Sequence, residues 1–132
     1  MAERRFELAV ESFGKALSRL HEVVDTNETD IVRDALIQRF EFTFETAWKA
    51  MFRWLRARGA DVDDEAFAVL PRAFTNRLIC DDDGWTELRK KRNLTAHTYK
   101  EELAVEVAAM VRSRGVALFD DLLQTLKARA DE

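Results

Sequence analysis

Phe6, Val10, Phe13, Leu17, Leu20 and Val24 stand four, three, four, three and four residues apart. That interval returns side chains to one face of an α-helix, whereas successive side chains of a strand point to opposite faces. The stripe has the heptad form of a helix packed in a bundle. It returns in Ile37, Phe40, Phe44, Ala47, Met51 and Trp54, which Phe42, Trp48, Phe52 and Leu55 widen into a broad apolar arc. An arc wider than one neighbour covers marks a central helix or a subunit interface. Turn punctuation is scarce, with four glycines and one proline, and this excludes an all-β sandwich or barrel.

The spacing predicts a first helix over about residues 3–24 and a second over about 30–58. The polar stretch 25–29 separates them and supplies N-cap oxygens, and Gly59 closes the second helix. A third opens at Asp61 or Asp63 and carries Phe67, Leu70, Phe74 and Leu78 to about Ile79, with Pro71 kinking or splitting it. Asp81, Asp82, Asp83 and Gly84 form a break and a cap. A short fourth helix starts near Trp85 and carries Leu88 and Leu94. Thr98 and Glu101 fit a capping box that opens a fifth helix. Its apolar positions are Leu103, Val107, Met110, Val111, Leu118, Leu122 and Leu126, and Gly115 marks a bend. Short connections make this an all-α, antiparallel up-and-down bundle of about five helices, a single domain over residues 1–132.

Charge and composition narrow the function. With 47% apolar and 35% charged residues, the chain is no disordered tail. No apolar run reaches the length of a membrane span, and the first residues lead into a charged amphipathic segment unlike a signal peptide. The lone Cys80 has no second cysteine to pair with, so a reducing cytoplasm is the expected location. A net charge of −4 argues against gripping nucleic acid over the whole surface; any RNA contact needs a local patch.

One such patch exists. Arg89, Lys90, Lys91 and Arg92 are consecutive cations, followed closely by Asn93, His97 and the sole tyrosine, Tyr99. Arg92 and His97 are five residues apart, about 140° round an ideal helix, so they converge only if the helix ends near Ala96. Arg92 would then lie on the last turn, His97 in the corner and Tyr99 on the first turn of the next helix. A guanidinium fork fits a phosphate, and a histidine titrates near neutrality and moves protons. Together they suit cleavage of an RNA phosphodiester, in which a base takes the 2′-hydroxyl proton and a cation holds the charge growing on phosphorus. One histidine without a nearby cysteine or second histidine makes a poor transition-metal site, so neither metal nor cofactor is expected. Cations at a helix C-terminus also suit the helix macrodipole, and a histidine there also serves as a cap, so a purely structural reading stands beside the catalytic one.

Other polar residues read as structural. Glu41 and Glu45 share a helix face, and Glu45 stands four residues before Lys49, the favourable order for a surface ion pair. Arg39 and Lys49 are further candidates for holding RNA or a partner. His21 reads as a helix-end or surface residue, Cys80 as a small packing residue, and the three aspartates as a solvated turn rather than a cation site.

Two blocks of sequence carry a resemblance. Residues 37–49, IQRFEFTFETAWK, and 92–99, RNLTAHTY, resemble the nucleotidyltransferase substrate-binding branch of the HEPN superfamily, and the likeness in helix order covers nearly the whole chain. The resemblance implies a small helical bundle that forms a homodimer and is paired with a minimal nucleotidyltransferase encoded nearby. In many such pairs the HEPN member is a metal-independent ribonuclease toxin and the nucleotidyltransferase its antitoxin. It assigns the catalytic roles to Arg92, Asn93 and His97, and to Tyr99 a regulatory role as an acceptor that the partner modifies with AMP. Arg89, Lys90 and Lys91 are the companion cations for RNA. The alternative is a non-catalytic subunit that binds nucleotide or substrate for the transferase. The chain departs from the family pattern at Gly115 and Val116, within the last helix.

Overall fold

The computed structural model describes residues 1–130; the last two positions of the expected domain, 131 and 132, lie outside the described residues. The helices are α1 (Ala2–Val24), α2 (Asp30–Ala57), α3 (Ala66–Thr75), α4 (Asp82–Leu94), α5 (Glu101–Met110) and α6 (Val116–Arg129). No strand occurs among the described residues. The last two helices are halves of one rod, joined through a π-helical turn, Val111–Gly115. This is the expected all-α bundle, with α2 at its centre, packed most extensively on α1 and touching every other helix.

The broad arc of α2 is what makes it central. Phe40, Phe44, Ala47 and Met51 are fully buried, and of the widening set only Phe42 faces outward. Thr29 caps the helix by accepting from the Val32 N–H at 3.1 Å. Gly59, at φ 83°, ends it in a left-handed turn in which the Ala60 N–H reaches the Leu55 carbonyl. Phe119 of α6 joins the layers: its ring meets Phe13 of α1, Phe40 of α2 and Trp85 of α4, the last edge-on at 5.6 Å.

The third helix differs from the reading of the sequence. It starts at Ala66 and ends at Thr75, because Arg77 takes a left-handed conformation (φ 61°) and the Leu78 N–H turns back to the Ala73 carbonyl. Arg129 holds that turn by donating to the Asn76 and Arg77 carbonyls. Pro71 stays inside the helix without splitting it. The buried face is Val69, Leu70 and Ala73, so Phe67 and Phe74 point outward, at 71% and 42% exposure. Leaving one such ring in water forgoes on the order of 1.5–3 kcal/mol.

Several contacts fix α4, the helix that ends in the cationic corner. Asp81 caps it by accepting from the Gly84 N–H at 2.9 Å, and Arg114 Nη2 donates to both of its carboxylate oxygens, at 2.8 and 2.9 Å. Gly84 gives both side chains room, since a Cβ there would stand 2.6 Å from Asp81 Oδ2 and 2.8 Å from Leu118 Cδ1, and one or both would have to shift. The bend expected at Gly115 is the π turn, where the missing side chain admits Leu88 of α4; an added Cβ would meet it at 3.1 Å. The wider turn also directs Arg112 onto the carbonyl of Val24, the last residue of α1.

Candidate active site

The fourth helix ends where Thr95 turns inward. Its hydroxyl donates to the Arg92 carbonyl at 2.7 Å, and a single 3₁₀ turn, Thr95–His97, follows. The Thr98 hydroxyl donates to the Thr95 carbonyl at 3.1 Å, so Thr98 is no N-cap, and the expected capping box is not formed. The residue preceding α5 is Lys100, in extended backbone with no side-chain cap. Tyr99 therefore sits in the corner itself rather than on the first turn of α5. Arg33 of α2 reaches Glu101 at 3.8 Å and ties the far side of the corner to the central helix.

Arg92 lies on the last turn of α4, and its side chain turns to α2. Its Nε donates to Glu45 Oε1 at 3.1 Å, its Nη1 donates to the Thr95 hydroxyl at 2.9 Å, and Glu41 stands 3.6 Å from Nη1. Trp48 Nε1 donates to the other oxygen of Glu45 at 2.9 Å and fixes that carboxylate. Nη2 of Arg92 has no hydrogen-bond partner among the described residues, which leaves one prong of the fork unused. The pair expected between Glu45 and Lys49 is not made: Glu45 faces Arg92, and Lys49 lies over the Trp48 ring. Nothing in the local sequence joins Glu45 to a residue 47 positions away. The shared face of Glu41 and Glu45 was the visible half of the arrangement.

His97 is exposed, and its ring makes no hydrogen bond among the described residues. The ring meets that of Tyr99 edge-on, centroids 6.2 Å apart, and Tyr99 is 79% exposed. Asn93 is exposed one turn before the corner. The structure thus brings Arg92, Asn93, His97 and Tyr99 to one end of α4. No hydrogen bond joins the Arg92 and His97 side chains among the described residues.

The other cations divide. Lys90 is exposed. Arg89 lays its guanidinium over Phe67, 5.6 Å from the ring centroid. Lys91 is buried and paired with Glu87 at 2.9 Å and Glu106 of α5 at 3.0 Å. The hydrogen bond to Glu87 pushes the Lys91 ammonium above the usual lysine range and holds the Glu87 carboxyl below its own. Its charge is consumed within the fold. Arg39 likewise ties α2 to α1 through the Arg19 carbonyl and Glu22.

The remaining readings resolve simply. His21 joins α1 to α6 through Asp120 at 2.7 Å. Asp81 is the cap of α4, and Arg114 holds its carboxyl below the usual range. Cys80, expected to pack, is exposed. Among the described residues, no three His, Cys, Asp or Glu side chains cluster to hold a metal ion, and no helix is long and apolar enough to cross a membrane.

A family model described as nucleotidyltransferase substrate binding protein like matches residues 8–128, spanning both motif blocks. The chain belongs to that family. It is the nucleotidyltransferase substrate-binding branch of HEPN proteins that the two blocks resemble. A relative from Haemophilus influenzae named "Probable ribonuclease HepT" is 37% identical over 92 residues, and the match takes in 64% of this chain and 63% of that protein, under two thirds of its length. A crystal structure of a Thermus thermophilus protein superposes with a TM-score of 0.74 at 31% identity, over 91% of this chain and 99% of that one. A Haemophilus influenzae structure, described as revealing the fold of a substrate-binding domain of a nucleotidyltransferase, gives 0.67 at 27% identity over 95% and 98%.

Proposed function

We propose that this chain is the HEPN subunit of a two-component toxin–antitoxin module and a metal-independent endoribonuclease held in check by a partner nucleotidyltransferase. The observation that carries this reading is the corner at the end of α4. An exposed imidazole and a partly exposed arginine with an unused prong stand about a turn apart at the end of α4. In this reading His97 moves the proton of the 2′-hydroxyl, Arg92 holds the phosphate through Nη2, and Asn93 orients it. Glu45 keeps the guanidinium from swinging away, as a carboxylate behind a ligand fixes its direction. Lys90 and Arg89 draw in the strand, and Lys91 acts as a structural residue.

Tyr99 is the regulatory acceptor. Its hydroxyl is open to a partner enzyme and its ring abuts His97, so an attached nucleotide would set bulk and negative charge against the site. A second copy of the chain covers the outward face of α2, where Ile31 and Phe42 are 82% and 56% exposed. The name of the Haemophilus relative and the description of the solved homologue support the two halves of this reading, ribonuclease and nucleotidyltransferase companion.

The second reading is a non-catalytic subunit that binds nucleotide or substrate for the transferase. One observation favours it: two carboxylates already occupy Arg92, and no hydrogen bond joins it to His97 among the described residues. Purified protein incubated with RNA in the presence of a chelator separates the two. The nuclease reading expects strand breakage that His97→Ala abolishes. Equal behaviour of wild type and variant leaves only the binding subunit.

A further inference from the structure

Phe67 is the most exposed aromatic ring outside the corner, and the fold does not require it to be so, since α3 buries Val69, Leu70 and Ala73 instead. It is also not bare. Arg89 of α4 lies over it, with its guanidinium carbon 5.6 Å from the ring centroid. Arg89, Arg92 and Asn93 stand at i, i+3 and i+4, so they share one face of α4. The rise from Arg89 to Asn93 is about 6 Å, close to the step between neighbouring nucleotides in an extended strand.

We infer that Phe67 and Arg89 form a stacking subsite for one unpaired base of single-stranded RNA, adjoining the phosphate held at Arg92 and Asn93. The inference rests on the ribonuclease reading for what happens at the corner, and adds the class of strand admitted to it. Aromatic rings and guanidinium planes are the two surfaces on which proteins stack unpaired bases. Here they already lie together, and Lys90, the next residue along α4, is exposed. A duplex offers no free base face, because each base is covered by its neighbours. The site therefore selects loops and single strands.

Phe74 supplies the internal control. It lies seven residues along the same helix and is also exposed, but no cation covers it among the described residues. The experiment uses the full chain carrying His97→Ala, so that RNA stays intact. Fluorescence anisotropy follows a short labelled oligoribonucleotide, either single-stranded or annealed to its complement. The single strand is expected to bind more tightly than the duplex. Phe67→Ala and Phe67→Leu should each weaken the single strand by about five- to a hundredfold, while Phe67→Trp and Phe74→Ala leave it unchanged. A 2-aminopurine base in the strand should lose fluorescence on binding only when residue 67 is aromatic.

Binding unaffected by Phe67→Ala, binding fully retained by Phe67→Leu, or no RNA binding by the parent chain overturns the subsite. So does a change in self-association with unchanged RNA affinity, which would assign the ring to a protein interface. Cleavage by the chain with His97 intact is scored separately. Cleavage without Phe67-dependent binding sinks the subsite alone, and Phe67-dependent binding without cleavage sinks the nuclease reading alone.

Discussion

The two ends of α4 are built on opposite plans. At its start, Asp81 caps the helix and accepts from Arg114 Nη2 through both carboxylate oxygens, Gly84 lets α6 approach, and Trp85 is buried against Phe119. At its end, Asn93, His97 and Tyr99 face solvent, and the backbone leaves the helix through a short 3₁₀ turn. One helix thus carries an anchor and a solvent-exposed end. Packing density at the first end is what lets the second stay polar and open, since a site exposed on every side has to be positioned from behind.

Substitutions at the two ends should separate activity from stability. The largest effect is expected from His97→Ala, which should lower metal-independent RNA cleavage by about 10²–10⁴-fold and leave the thermal unfolding midpoint in place. A shifted midpoint would show that the corner is structural. At the other end, Trp85→Ala should cost about 3–5 kcal/mol in denaturant unfolding, because it opens a cavity beside Phe119. A loss well below that range would mean that the anchor is less tightly packed than its contacts indicate.

Glu45→Ala tests the link between the ends and α2. It frees Arg92 and leaves Trp48 Nε1 without its acceptor. With Arg92 and Glu45 both partly exposed, the stability change should stay at about 1 kcal/mol. Cleavage should fall by roughly tenfold as the guanidinium loses its fixed direction. If cleavage rises instead, the carboxylate competes with phosphate rather than aiming the fork.

The smallest effect concerns pH. Arg114 and the Gly84 N–H hold the Asp81 carboxyl below its usual range in the folded chain. The sign follows from linkage: a depressed folded value contributes stability above the ordinary aspartate range, and that contribution disappears as the pH falls through it toward the lower folded value. Asp81→Asn should therefore lower the unfolding midpoint slightly at neutral pH and flatten its acid decline. Lys91 has the opposite sign. Its raised value keeps its contribution intact below the ordinary lysine range, and it is lost only as the pH climbs through the higher folded value. An acid limb identical in wild type and Asp81→Asn would remove the clamp from the account.

Much of the fold was legible because periodicity is a local property. The stripes of α1 and α2 gave their buried faces, and Phe42 alone of the second set turned outward. What failed was local chemistry overruled by a neighbour. Thr98 had the residue type of an N-cap, but its hydroxyl went to the Thr95 carbonyl, and α5 began two residues later than the capping box implied. The third helix stopped at Thr75 because Arg129, from the far end of the chain, holds its C-terminal turn. Phe67 and Phe74 fitted a helical stripe with Leu70, yet α3 turns Val69, Leu70 and Ala73 to the core and leaves both rings outside.

Adjacent cations show where local reading ends. Lys91 and Arg92 are indistinguishable as charges in a run, and the sequence alone determined that they point to different sides of one helix, because each residue turns by about 100°. It also determined that a histidine and a tyrosine follow at the helix end. Only the tertiary structure decided that Lys91 meets Glu106 and is closed off, while Arg92 meets Glu45 and keeps a prong free. The reason is that helical rotation sets which way a side chain faces, whereas its partner there depends on how distant segments pack.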